Sequence, residues 1–155
     1  MKNDPELYEI FFQERKDYYL DKLSKYEKGK KLIFNYSTLL FGLFWFLYRK
    51  MYLEAIIIYL FITLETLFED LYLKQLIGEE ETIIFKIIFT LIFLICMGFS
   101  GNLLYLKKAE RIINKSKEKY PDFEEQKNFV IKKGGTSFIL VGIIIALIAI
   151  ILAIR

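Results

Sequence analysis

The chain has 155 residues, 55% hydrophobic and 26% charged, with a mean hydropathy of +0.33 and a formal net charge of +3. Greasiness and charge this high, segregated along the chain, point to an integral membrane protein and exclude a disordered chain, a collagen-like chain and a disulfide scaffold. The absence of His removes imidazole catalysis and imidazole metal ligation, the single Cys96 forbids an internal disulfide, and the scattered charge gives no nucleic-acid footprint.

Residues 1–31 are polar and carry a helical pattern. Asp4-Pro5 reads as a helix start, with a short acceptor at the N-cap and a ring already near helical φ at the first position. Leu7, Phe11, Tyr18, Tyr19, Leu23 and Tyr26 draw one apolar stripe, and Gly29 suits a C-cap. Such a helix either packs on the rest of the protein or lies on a membrane surface. The charged opening is not a secretory signal.

Residues 32–48 hold 17 residues without a charge, interrupted by Asn35, Ser37, Thr38 and Gly42. As a straight helix they would reach about 26 Å, short of a hydrocarbon core of about 30 Å. Three further apolar runs follow at 51–69, 83–106 and 136–154. An acidic connection, 70–82, separates the first two, and a basic segment, 107–135, with a break at Pro121 separates the last two.

The positive-inside rule decides between four crossings and three. With three, the Lys-rich end of 1–31, Arg49, Lys50 and the whole 107–135 segment share the cytoplasmic side. Only the acidic connection and Arg155 then face out. The expected fold is therefore all-α: three transmembrane helices (51–69, 83–106, 136–154), a re-entrant or interfacial segment over 32–50 that bends near Gly42, and an amphipathic N-terminal helix over 1–31. Non-helical backbone at membrane depth has to be covered by protein, which places the 32–50 segment against 51–69 and its neighbours.

Phe34-Asn35-Tyr36, Leu40-Phe41-Gly42-Leu43-Phe44-Trp45-Phe46-Leu47-Tyr48 and Arg49-Lys50-Met51-Tyr52 resemble the signature of a bacterial family of small membrane proteins known only as a domain of unknown function. Tyr18-Tyr19 with Lys22-Leu23, Gly101-Asn102 with Tyr105-Leu106, and Gly134-Gly135-Thr136-Ser137 belong to the same resemblance. Tyr36 stands where that family usually has Trp, and Leu43 where it has Pro, which leaves Gly42 as the only breaker. The resemblance implies a multi-pass protein of the bacterial cytoplasmic membrane and carries no activity with it.

Few groups could do chemistry. Glu54 and Glu65 lie eleven residues apart in one run and share a helix face. Carboxylates inside a membrane are candidates for proton or cation handling. The structural alternative pairs Glu54 with Arg49 or Lys50, and Glu65 with Lys86, near the two interfaces. Cys96, among apolar neighbours, reads as a packing residue. Trp45, Tyr48, Arg49, Lys50 and Tyr52 form a candidate interfacial anchor for an anionic lipid or a partner. Gly142, Ala146, Ala149 and Ala153 form a small-residue stripe expected to pack on Gly98 and Gly101 of the 83–106 helix, or to dock a partner if exposed. No metal-ligand cluster, cofactor motif or catalytic motif is present in the sequence. The sequence thus points to a non-enzymatic structural or accessory protein that binds membrane lipids, another membrane protein or a second copy of itself. The alternative is a small oligomeric channel or transporter-like protein using Glu54 and Glu65.

Overall fold

The computed structural model describes residues 4–154, and all regular structure among them is helical. Pro5 opens α1 (Pro5–Phe12) as the sequence pattern requires. The Asp4 carboxylate, however, caps nothing and pairs with Lys117 instead. The N-terminal segment is not one helix. The backbone turns at Gln13, whose φ is +52°, and resumes as α2 (Lys16–Glu27). A non-glycine residue in that region is uncommon, and tertiary contacts hold it. Gln13 Nε2 donates to Ile131 O at 3.1 Å, and the Gly135 N–H donates to Phe11 O at 2.8 Å. Leu7, Phe11, Tyr19 and Leu23 bury the expected stripe, and the cover is protein, since α1 and α2 pack on α7 (Glu79–Lys119) and α1 also on α8 (Phe123–Lys133).

Residues 32–48 form two short helices, α3 (Tyr36–Phe41) and α4 (Leu43–Tyr48), bent where Gly42 takes φ +47°. Extended residues precede α3, and their polar groups are met by α7. Asn35 N–H donates to Gly98 O at 2.8 Å, and Asn35 Nδ2 donates to Asn102 Oδ1 at 3.0 Å. Asn102 Nδ2 in turn lies within hydrogen-bonding reach of Ile33 O, Phe34 O and the Tyr18 hydroxyl, at 3.1–3.2 Å. The Asn35 side chain also caps α3 by accepting from Thr38 N–H at 3.1 Å. The segment is thus covered by protein, chiefly by α7 on the α3 side and by α5 (Tyr52–Phe68) on the α4 side.

The acidic connection is helical rather than a loop. From α5 the chain continues through a wide π turn, Glu69–Leu73, into α6 (Lys74–Ile77). It reverses at Gly78, φ +95°, and enters the 41-residue α7. Three glutamates in the first turn of α7 suit the positive end of its dipole. α7 runs straight through the boundary expected at residue 106 and stops one residue before Pro121, because the residue preceding a proline is driven from helical geometry. Asp122 then caps α8, accepting from Glu125 N–H at 3.1 Å.

The last helix, α9 (Ile139–Ile154), departs from expectation. Gly142, Ala146, Ala149 and Ala153 are exposed, and a Cβ built on Gly142 would meet nothing within 4 Å. The face of α7 expected to receive them is occupied. A Cβ on Gly98 would lie 2.7 Å from the Phe34 ring, and one on Gly101 would lie 2.9 Å from Thr38 Cβ. The 32–48 segment fills that groove, so α9 leans on α4, with Phe138 and Tyr48 rings 4.6 Å apart and Ser137 N–H donating to Tyr48 O at 2.8 Å. Arg155 lies outside the described residues.

Three substitutions test this packing. Gly101→Val forces the Thr38 contact apart and should cost about 1–3 kcal/mol, seen as a lower melting temperature in detergent, whereas Gly142→Val should change stability by no more than about 0.5 kcal/mol. Asn102→Leu leaves the Ile33 and Phe34 carbonyls and the Asn35 amide without their partner, and should cost about 3 kcal/mol.

Candidate functional site: an aromatic cavity around Arg49

Arg49 follows the last residue of α4, where helix carbonyls lack partners within the helix. Lys108, reaching from α7, satisfies that end: its Nζ donates to Arg49 O and to Lys50 O, both at 2.9 Å. Lys50 takes φ +55° and turns the chain into α5. Burial pushes the Lys108 amine down to about 8, with Lys50, Arg111 and Lys133 adding to the effect and Glu54 opposing it.

The main chain so fixed holds the Arg49 side chain inside the protein, only 4% exposed. Its guanidinium carbon lies 4.7 Å from the ring centre of Tyr19, 5.2 Å from Tyr105 and 5.4 Å from Tyr48. Ring faces stabilise a cation, but they do not accept its N–H bonds as oxygen does. Nε and Nη1 are buried without a hydrogen-bond partner, and among the described residues no carboxylate forms an ion pair with Arg49. Burial also raises the Tyr19 phenol above its ordinary range, against the pull of Arg49, so the ring beside the cation stays neutral.

Arg49 and its rings border a cavity of about 680 Å³. Trp45, Phe41 and Phe44 give it one wall, Tyr18 and Tyr19 of α2 another, and Phe138 with Val141 and Ile145 of α9 a third. Tyr36, Phe41 and Phe138 are widely exposed and rim its mouth, and Arg15 adds a second cation. A cationic, donor-rich floor under apolar walls can hold an anionic group that carries a hydrophobic body. Among the described residues no group of three or more Cys, Asp or Glu is placed to hold a metal.

Of the five residues read as an interfacial anchor, the structure brings Trp45, Tyr48 and Arg49 together. Lys50 points elsewhere, to Lys132 O at 3.4 Å, and Tyr52 is exposed on α5 and does not line the cavity. Arg49 is not at a wet interface, because the N-terminal helices and α7 close over it. Glu54 pairs with Arg111 at 3.4 Å rather than with Arg49 or Lys50, since the extension of α7 carries Arg111 alongside. Lys86 pairs with Glu69 at 2.9 Å rather than with Glu65, because the hairpin continues as helix past residue 69. Glu54 is thus paired with Arg111 while Glu65 forms no ion pair among the described residues, and the two form no joint site. Cys96 is exposed on α7 rather than packed. Sequence reasoning saw Tyr18 and Tyr19 as part of a stripe but not as cavity walls, and had no signal for Val141 and Ile145, whose role depends on where α9 docks.

Among the described residues the fold and the site define a small all-helical protein with one helix, α7, long and apolar enough to cross a membrane, and a buried arginine without an acidic partner. The family described as "Protein of unknown function (DUF2628)" matches residues 11–111, and the chain belongs to it. The match covers α2 through most of α7, including Trp45, Arg49, Asn102 and Lys108, and leaves out α9. No curated protein and no solved structure matches the chain.

Lys108 gives the site a pH signature. Between about pH 8 and the ordinary lysine value of 10.5, the unfolded chain holds the proton and the folded one releases it. Stability rises with pH wherever the unfolded state binds more protons, so this group's contribution is constant below that window and improves as pH climbs through it. The gap in melting temperature between wild type and Lys108→Met should be flat up to about pH 7.5 and widen toward pH 10.

Proposed function

We propose that the chain is a small multi-pass membrane protein that holds an anionic phospholipid of the surrounding leaflet, its headgroup phosphate on Arg49 and its acyl chains against the cavity's aromatic and α9 walls. The observation that carries this reading is the buried guanidinium with two nitrogens, Nε and Nη1, unmet beside a large apolar cavity. A buried, unpaired charge is costly enough that proteins seldom keep one without a counter-ion. Phosphate oxygens match the planar guanidinium fork.

The membrane reading is supported by what α7 leaves uncovered: only 17% of its most apolar 18-residue stretch is buried, where the core helix of a soluble protein would be mostly covered. Ile56, Ile57 and Leu60 of α5 and Ile87, Ile88 and Leu91 of α7 also face outward. Apolar patches of that extent are rare on soluble monomers. Tyr52–Ile77 runs without a break for about 39 Å at 1.5 Å per residue, enough to cross. In the proposed arrangement the α5–α7 hairpin and α9 cross, the acidic tip at Gly78 lies outside, and the basic N-terminal and α8 regions face the cytoplasm. A non-enzymatic, accessory role fits a site of cationic donors set among apolar walls.

Trp45 is the only tryptophan and borders the cavity, so it reports on occupancy directly. In phosphatidylcholine vesicles, a small fraction of brominated phosphatidylglycerol should quench Trp45 more strongly than the same fraction of brominated phosphatidylcholine. Arg49→Met should erase that preference, a loss of about tenfold or more in relative affinity, while Arg49→Lys should keep part of it. Equal quenching by the two lipids in wild type would overturn the proposal. Excess inorganic phosphate should leave the preference unchanged, and loss of quenching on adding it would assign the site to free phosphate instead.

A further inference from the structure

A second unbalanced cluster lies at the closed end of the hairpin and does not involve Arg49. Glu69 opens the wide turn and is 1% exposed. Lys86 Nζ, from α7, stands 2.9 Å from its Oε2. Glu65 sits four residues earlier on the same face of α5. Neither Oε1 of Glu69 nor Oε1 of Glu65 has a hydrogen-bond partner, although both atoms are buried. Among the other polar groups of the elements packed here, Lys74 is taken by Glu79 at 2.6 Å, and the buried Thr82 hydroxyl donates to Gly78 O at 2.6 Å. Asp70 is exposed and acts on Lys86 from the solvent side. The cluster proper is therefore two carboxyl groups against one ammonium.

We propose that Glu65 and Glu69 together hold one exchangeable proton. Lys86 balances a single carboxylate. A second buried negative charge on the adjacent turn would have neither a cation nor a donor, which is the costly arrangement. One proton resolves both deficits, since a carboxylic acid donates through its O–H while the neighbouring carboxylate accepts. A hard metal cation fits less well: it takes about six or more oxygen ligands and would sit beside an ammonium. The wide turn is part of the site. Lys74 N–H bonds back to Glu69 O across five residues, and such single-turn widenings recur at functional positions in helices.

Dicyclohexylcarbodiimide adds to protonated carboxyl groups in apolar surroundings, so it reads the proposed proton. With the full chain in vesicles at neutral pH, peptide mass spectrometry should find modification at Glu65 or Glu69 and none at Glu54, and the yield should fall at alkaline pH. Glu65→Gln leaves Glu69 matched by Lys86 alone and should cut its modification about tenfold, equivalent to one pH unit. Lys86→Met should carry modification to higher pH. Should a variant fail to fold by circular dichroism, the infrared carboxylic-acid carbonyl band of wild type, present at neutral pH and lost in alkali, makes the same test. An unmodified wild type, a missing acid band, or equal modification of Glu69 in Glu65→Gln would overturn the proposal. Protection by sodium at fixed pH would overturn it in favour of a metal cation.

Discussion

A chain that enters a helical bundle in extended form has to find partners for backbone groups that no helix satisfies, and residues 32–35 find theirs on α7. Asn102 is the centre of that exchange. Its amide nitrogen meets the carbonyls of Ile33 and Phe34, and its oxygen accepts from Asn35. Asn35 then begins α3 and takes its own backbone acceptor from Gly98. The close approach this needs exists only because Gly98 and Gly101 have no side chains to hold Phe34 and Thr38 away. Were those glycines filled, α3 would stand off and the buried amides would face each other across a gap. The position of α4, and hence of Arg49, follows from this junction.

Arg49 is held by a different logic. Its backbone is fixed by Lys108, a buried cation that serves the helix end, while its side chain is surrounded by neutral rings. Lys108 can shed its charge at moderately high pH, since burial lowers its proton affinity. Arg49 has no such escape, because guanidinium does not lose its proton in proteins. In the proposed reading an anion completes this cationic floor.

Much of the architecture was legible because it rests on local signals. The all-helical class, the bend at Gly42, the stop before Pro121 and the stripe through Leu7, Phe11, Tyr19 and Leu23 all follow from periodicity or from glycine and proline geometry. The failures share a cause. Gln13 and Glu69 sit near apparent boundaries in the sequence, and boundaries are where tertiary contacts decide. Gln13 breaks a helix that propensity would continue, because Phe11 must reach Gly135. The acidic 70–82 stretch reads as a loop by composition, yet it is helical and its charges fall near helix termini. The α9 stripe was paired with the right glycines by size but with the wrong neighbour, since sequence spacing cannot say that Phe34 reaches the groove first. Arg49 was found as a cation among aromatics. Its burial depended on α1, α2 and α7 meeting above it, which no local pattern encodes.

The hairpin gives these observations a common frame. Its two helices are apolar along their outward faces and polar only near their ends, so ionisable groups are confined to two levels. At one level the surplus is positive: Arg49 and Lys108 are buried, and Glu54 with Arg111 lies on the rim. At the other it is negative, with Glu65 and Glu69 against Lys86 alone. Neither surplus is relieved by a partner among the described residues, and in the proposed reading an anionic headgroup at one end and a proton at the other restore neutrality without disturbing the packing. Residues 32–48 pack beside the first level, and the cavity forms there.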